Sequence, residues 1–146
     1  MEDFVYSYSP DSNGCMLHKG YEIPEDIMSK ADAEIVKAAI KNNINCVMSS
    51  SCGRLFDAVC ALLGFGNYNY FEGQCAVSLE NAANTAINKG TLAYPLDLQY
   101  NKDELDTVKL IRDIAKAKEK GADPYALALG FHIALADGLA NAFNRQ

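Results

Sequence analysis

The stretch DPYALALGFHIALADGLANAF, Asp123 to Phe143, decides the fold. Asp123 before Pro124 reads as a helix start: a capping carboxylate accepts from a first-turn N–H, and proline there forfeits no needed donor. Leu127, Phe131, Leu135, Leu139 and Phe143 then recur every four residues. Gly130, Ala134, Gly138 and Ala142 run beside them as a row of small residues. A glycine inside a helix costs roughly 1 kcal/mol against alanine. Two in one helix predict another backbone pressed close along that row.

Working outward, four more helices are predicted. The first spans Ser29 to Asn42, with Ser29 as cap, Asp32 near the positive end, and a stripe of Ile35, Val36, Ala39 and Ile40. The second runs from about Ser51 to Gly64. Its apolar residues Leu55, Phe56, Val59, Cys60, Leu62 and Leu63 cover most of the circumference, which predicts burial on several sides. The third runs from about Glu72 to Lys89, with Gly90 as its left-handed stop. For the fourth, Asn101 and Glu104 resemble a loosened capping box before a helix to Lys120, with Gly121 ending it. Between the third and fourth, TLAYPLDLQY (Thr91 to Tyr100) suits an edge strand or an extended crossing, because Pro95 lacks a ladder donor. Residues 1–28 carry turn signals and no period. The expected architecture is mainly α: about five helices in one compact subdomain over 29–146, with at most a short edge strand or extended segment near 91–100.

The 146 residues suit one domain, and the net charge of −6 opposes a general nucleic-acid or anionic-membrane surface. Cys15, Cys46, Cys52, Cys60 and Cys75 show no CxxC spacing, and with only His18 and His132 no zinc pattern forms. The cysteines are expected reduced and mostly buried. The polar, acidic start MEDFVYSYSPDSNG lacks a signal-peptide pattern, and no stretch is expected to behave as a membrane span. The cytoplasm is the expected compartment.

Chemistry is suggested by SSSCGRLFDAVCALLG, Ser49 to Gly64. A helix N-terminus presents unpaired N–H groups and a positive dipole end. Ser49, Ser50 and Ser51 add hydroxyls, Gly53 permits close approach, and Arg54 adds a fork of donors. Asp57 lies four residues past Gly53 on the same face, where a carboxylate could accept from sugar hydroxyls. The plainer alternative is a serine cap with Arg54 and Asp57 as a solvated pair. His132 suits a half-buried imidazole, Glu72 and Glu80 suit surface charges or an acid–base pair, and Cys52 at a helix start is a weaker nucleophile candidate. No P-loop, GxGxxG or HExxH motif is present.

Three ordered motifs then carry a resemblance. Ser50 to Val59 (SSCGRLFDAV), Phe71 to Ala76 (FEGQCA, with Tyr70 one residue early and Cys75 in place of alanine) and Phe131 to Ala136 (FHIALA) are similar to the threonylcarbamoyl-transferase-like region of the HypF carbamoyltransferase family of nickel–iron hydrogenase maturation. The resemblance implies an enzyme that uses carbamoyl phosphate and ATP to form a carbamoyl-adenylate, then passes the carbamoyl group to a cysteine of a HypE-like partner. It implies nucleotide binding through Gly53 and Asp57, with Asp57 at the ribose, and a cleft lined by Ser50, Ser51, Arg54, Glu72 and Gln74. On that reading Asp57→Ala is expected to harm nucleotide affinity in a reconstituted enzyme while leaving folding nearly intact.

The family's metal-binding histidines and Ser-Gly-Gly phosphate loop have no counterpart here. The chain is therefore expected to hold no cofactor or metal alone, to offer no catalytic residue, and to act as one wall of a nucleotide cleft beside a transferase lobe it does not contain. The small-residue row would then pack on an element of that lobe. The competing expectation is a non-catalytic helical interaction module derived from the same scaffold. It would use an exposed apolar patch such as the Gly130–Ala142 row, and could form a homo-oligomer.

Overall fold

The computed structural model describes residues 6–8, 15–17, 29–44, 51–66, 69–101 and 104–144. Five helices dominate: α1 Lys30–Lys41, α2 Cys52–Leu63, α3 Gln74–Asn88, α4 Thr107–Glu119 and α5 Pro124–Phe143. Two short antiparallel pairs accompany them. β1 (Tyr6–Tyr8) pairs with β2 (Cys15–Leu17), and β3 (Tyr100–Asn101) pairs with β4 (Glu104–Leu105) in the register Tyr100↔Leu105. The protein is mainly α, and the expected extended segment near 91–100 is present.

Local chemistry explains most boundaries. Ser29 accepts from the Asp32 N–H at 3.2 Å, and Asp123 accepts from the Tyr125 N–H at 3.0 Å with Pro124 opening α5. Gly64, Gly90 and Gly121 turn the chain after their helices with φ of 85°, 68° and 83°, the left-handed region where a side chain is strained. Two boundaries differ from expectation. Helix α4 starts at Thr107 because Asp106 accepts from the Lys109 N–H at 2.8 Å; Asn101 and Glu104 belong to the β3–β4 pair instead of a capping box. Helix α3 starts two residues after Glu72, since Gly73 has φ 80° and turns the chain first.

The contiguous core lies among α2, α3, α4, α5 and Leu98. Phe131, Leu79, Leu110, Ile114, Leu127 and Val59 are its largest fully enclosed side chains, with Cys60 beside them. Helix α3 packs on both α5 and α2, and α2 also meets α4. The Lys118 Nζ donates to the Leu62 carbonyl at 2.6 Å, placing a cation from α4 at the negative end of α2. At the same end of α2, Tyr125 receives the Phe65 ring edge-on at 5.2 Å and the Lys89 ammonium at 4.9 Å. In α1 the buried residues are Ala33 and Val36, while Ile35 faces water. The stripe is thus rotated from the expected one, and α1 supplies nothing to the main core cluster.

The glycine row of α5 has an occupant within this chain. Segment 91–99 crosses α5 without regular structure. A Cβ on Gly130 would overlap the Tyr94 carbonyl oxygen and come within 3.2–3.3 Å of that residue's carbonyl carbon and nitrogen. A Cβ on Gly138 would meet Leu98 at 3.0 Å through both its side chain and its carbonyl. With Gly130 bare, the Tyr94 N–H reaches the Ala126 carbonyl of α5 at 3.0 Å. This corrects the expectation that the row packs on an element outside the chain, and it removes that row as a free docking patch. Helix α5 is also long and apolar enough to cross a bilayer by length and composition, contrary to the sequence-based expectation. Here its Leu127–Phe131–Leu135 face lies in the core.

Gly130→Ala is therefore expected to destabilise the chain by about 1–3 kcal/mol, because overpacking against a backbone atom outweighs the roughly 1 kcal/mol gained in helix propensity. Urea unfolding measures it. An alanine variant as stable as the parent would mean that the crossing is not tightly held.

Candidate functional site

Helix α2 begins at Cys52 with Ser51 as its backbone cap, and the Leu55 N–H closes the first turn on the Ser51 carbonyl at 3.3 Å. The N–H groups of that first turn have no partner inside the helix. Ser51, Cys52 and Gly53 are exposed. A Cβ on Gly53 would meet only the Ser51 hydroxyl, at 3.6 Å, so a ligand could approach the backbone there. The Ser51 side chain makes no capping bond to its own helix. Ser49 and Ser50, like His18 and Cys46, lie outside the described residues.

One turn farther on, Asp57 is the only charged residue in the buried set among the described residues, at 7% exposure. Its surroundings come from three places in the chain. Arg54 Nη1 lies 3.0 Å from Asp57 Oδ2, one helical turn away. Asn69 Nδ2 donates to Asp57 Oδ1 at 3.1 Å from the loop after α2. The Asn69 Oδ1 in turn accepts from the Cys75 N–H at 3.0 Å, in the first turn of α3. The Arg54 contact is an ion pair without hydrogen-bond alignment, so buried Oδ2 is left short of a donor. The pair foreseen as a solvated alternative does form, but its carboxylate is enclosed and only Arg54 reaches water.

The turn before α3 is held from both sides. The Tyr70 N–H donates to Gln74 Oε1 at 2.7 Å, while Asn69 caps Cys75 from the opposite direction. Gly73, the N-cap residue, has no side chain to do this, so Asn69 takes over the task. Tyr70, Phe71 and Glu72 are consequently displayed to water. The structure thus brings Arg54, Asp57 and the α3 start together, sets Gln74 on the supporting turn, and leaves Glu72 outside. Asn69 is absent from the residues that sequence reasoning singles out. The available signal is an asparagine a few residues before a helix whose cap is glycine.

Other candidates take ordinary places. The His132 Nδ1–H donates to the Ala128 carbonyl at 2.8 Å, since a carbonyl can only accept, and the ring packs edge-on against Phe56 and Phe131. Glu80 is exposed on α3. Cys60 and Cys75 are buried and Cys52 is exposed, all as free thiols. Burial pushes the Cys60 thiol far above its ordinary range, with Cys75 and Asp57 adding to the rise. Burial also raises Cys75, and its hydrogen bond with Cys60 offsets part of that. Among the described residues, no group of three or more His, Cys, Asp or Glu side chains is gathered for a metal ion.

Burial of these groups has measurable consequences. Against the expectation of a nearly intact fold, Asp57→Ala should cost about 1–3 kcal/mol in urea unfolding, because the carboxylate is buried and the Asn69 amide would lose its acceptor in a part-buried place; an unchanged midpoint would mean that the carboxylate is solvated. Thiols in the unfolded chain titrate at about 8.5. Both buried thiols hold their protons to higher pH in the fold, so their contribution is complete below that value and declines above it, where the unfolded chain binds fewer protons. Unfolding free energy should therefore fall as pH rises above about 8.5, and the Cys60→Ala/Cys75→Ala variant should flatten that slope. Equal slopes in parent and variant would contradict the assignment.

Comparison with known proteins agrees with this architecture. The family model described as "Carbamoyltransferase, Kae1-like Domain, second subdomain" matches residues 10–146. The "Probable carbamoyltransferase HypF" of Methanocaldococcus jannaschii is 28% identical over 114 residues, covering 78% of this chain and 14% of that protein. A carbamoyltransferase HypF homolog of Cupriavidus necator is 30% identical over 120 residues, covering 77% of this chain and 30% of that protein. Among solved structures, full-length HypF in a phosphate- and nucleotide-bound form superposes with a TM-score of 0.63 at 26% identity, over 82% of this chain and 16% of that one. HypF of T. kodakarensis gives a TM-score of 0.67 at 29% identity, over 80% of this chain and 15% of that one. The chain thus spans less than a third of the length of these relatives. By fold, motif order and the match over residues 10–146, it belongs to the HypF carbamoyltransferase family, as the second subdomain of the Kae1-like domain.

Proposed function

We propose that this chain forms the helical wall of a nucleotide or carbamoyl-adenylate cleft in a HypF-type carbamoyltransferase of nickel–iron hydrogenase maturation. The observation that carries this reading is the buried Asp57 carboxylate, whose Oδ2 lacks an aligned donor one turn below the open start of α2. A carboxylate oxygen without a proton only accepts hydrogen bonds, so the natural complement of Oδ2 is a sugar hydroxyl. The exposed Gly53 backbone and the first-turn N–H groups suit an anionic group of the same ligand. The similar full-length HypF was solved with phosphate and nucleotide bound, which supports the same ligand class. The nucleotide supplies the activated group; this chain's own residues hold and orient it, with Arg54 exchanging its carboxylate contact for the ligand's negative charge.

Carbamoyl transfer itself, and delivery to a HypE-like protein, would require parts of the enzyme outside these 146 residues. The cytoplasm is the proposed compartment. The competing interaction-module reading now has a different surface, because Tyr94 and Leu98 fill the glycine row. It would have to use Ile133, Leu139 and Phe143 of α5, which are exposed.

Titration with AMP, followed by amide NMR, separates the two. Localised shifts at Gly53 and Asp57 are expected at millimolar ligand. Asp57→Asn should weaken binding about tenfold, equivalent to roughly 1.4 kcal/mol. No shift at the start of α2, together with a dimer in light scattering that Phe143→Asp dissociates, would favour the interaction module and end the nucleotide reading.

A further inference from the structure

Asn69 joins two parts of the molecule that the sequence keeps apart. Its Nδ2 donates to Asp57 Oδ1 at 3.1 Å, and its Oδ1 accepts from the Cys75 N–H at 3.0 Å. Arg54 and Asn69 pull on different oxygens of the same carboxylate, so the plane of that group is set by both. The other end of Asn69 is fixed to the backbone of α3, so the Oδ1 contact is tied to the turn before that helix. Holding Oδ1 from the α3 side leaves Oδ2, buried and 3.0 Å from Arg54 Nη1, as the oxygen without an aligned donor.

We propose that Asn69 is a positioning residue for the nucleotide site, fixing the Asp57 carboxylate so that Oδ2 accepts from a ligand hydroxyl when Arg54, 3.0 Å from it here, swings to the ligand's negative charge. This rests on the reading of Asp57 given under the proposed function and deepens it in one respect. Discrimination for the ribose hydroxyls then depends on a residue that does not touch them. The amide is chemically suited to this double role. It donates on one side and accepts on the other, whereas a carboxylate could cap Cys75 but would repel Asp57.

That difference supplies the test. Asn69→Asp retains an acceptor for the Cys75 N–H and removes the donor to Asp57. AMP and 2′,3′-dideoxy-AMP are titrated into the parent chain and the variant by NMR, with amide hydrogen exchange at Cys75 as the check on the cap. The parent should prefer AMP. The variant should lose about tenfold in AMP affinity and less than twofold for the dideoxy nucleotide, with Cys75 still protected. Equal losses for both nucleotides would mark Asn69 as merely structural, and no loss for either would overturn the assignment outright. A parent that does not distinguish the two nucleotides would refute the reading of Asp57 itself, and the role of Asn69 with it. Should the two facing carboxylates unfold the chain, Asn69→Ala removes the tether without adding charge and is read in the same titrations.

Discussion

The close passage of segment 91–99 across α5 is the constraint on which the rest of the structure depends. At Gly130 the two backbones are near enough that no β-carbon fits, and the Tyr94 N–H bonds to a helix carbonyl. At Gly138 the same segment lays Leu98 on the helix and carries it into the core. The crossing returns the chain from the end of α3 to the start of α4, so α4 can take its place against α2. Two glycines that weaken a helix in isolation therefore act here through contacts far along the chain, a cost of propensity offset by packing.

The site uses a different joint, between α2 and α3. Asn69, Gln74 and the left-handed Gly73 fasten the turn before α3 at both ends. Asp57 is tied to that turn and to Arg54, and the thiols of Cys60 and Cys75 lie close behind it in the same joint. A buried carboxylate is costly unless hydrogen-bonded and paired. Both kinds of contact are present, yet one oxygen still lacks an aligned donor.

Much of the fold was legible because capping and stop signals are local. Ser29, Asp123, Pro124, Gly64, Gly90 and Gly121 act through their own backbone angles or through an N–H a few residues away. Where the reading slipped, a competing local or packing effect decided the outcome. Asp106 displaced the Asn101–Glu104 box, Gly73 delayed α3, and Ile35 turned outward because packing chose Ala33 and Val36. The site was only half legible. Helix periodicity placed Gly53, Arg54 and Asp57 within one turn or so of one another, but it could not tell a solvated carboxylate from an enclosed one.

The sequence by itself determined that the chain is helical, where most helices stop, that α5 must admit a neighbouring backbone, and which three motifs carry the family resemblance. These follow from short-range sterics, capping and periodicity, which act within a few residues. Only the tertiary structure decided that the neighbour is Tyr94–Leu98 of the same chain, that Asp57 is buried, and that Asn69 bridges it to α3. Those outcomes depend on packing between segments far apart in the chain. A close approach or a shared hydrogen bond of that kind leaves no spacing in the sequence from which it could be read.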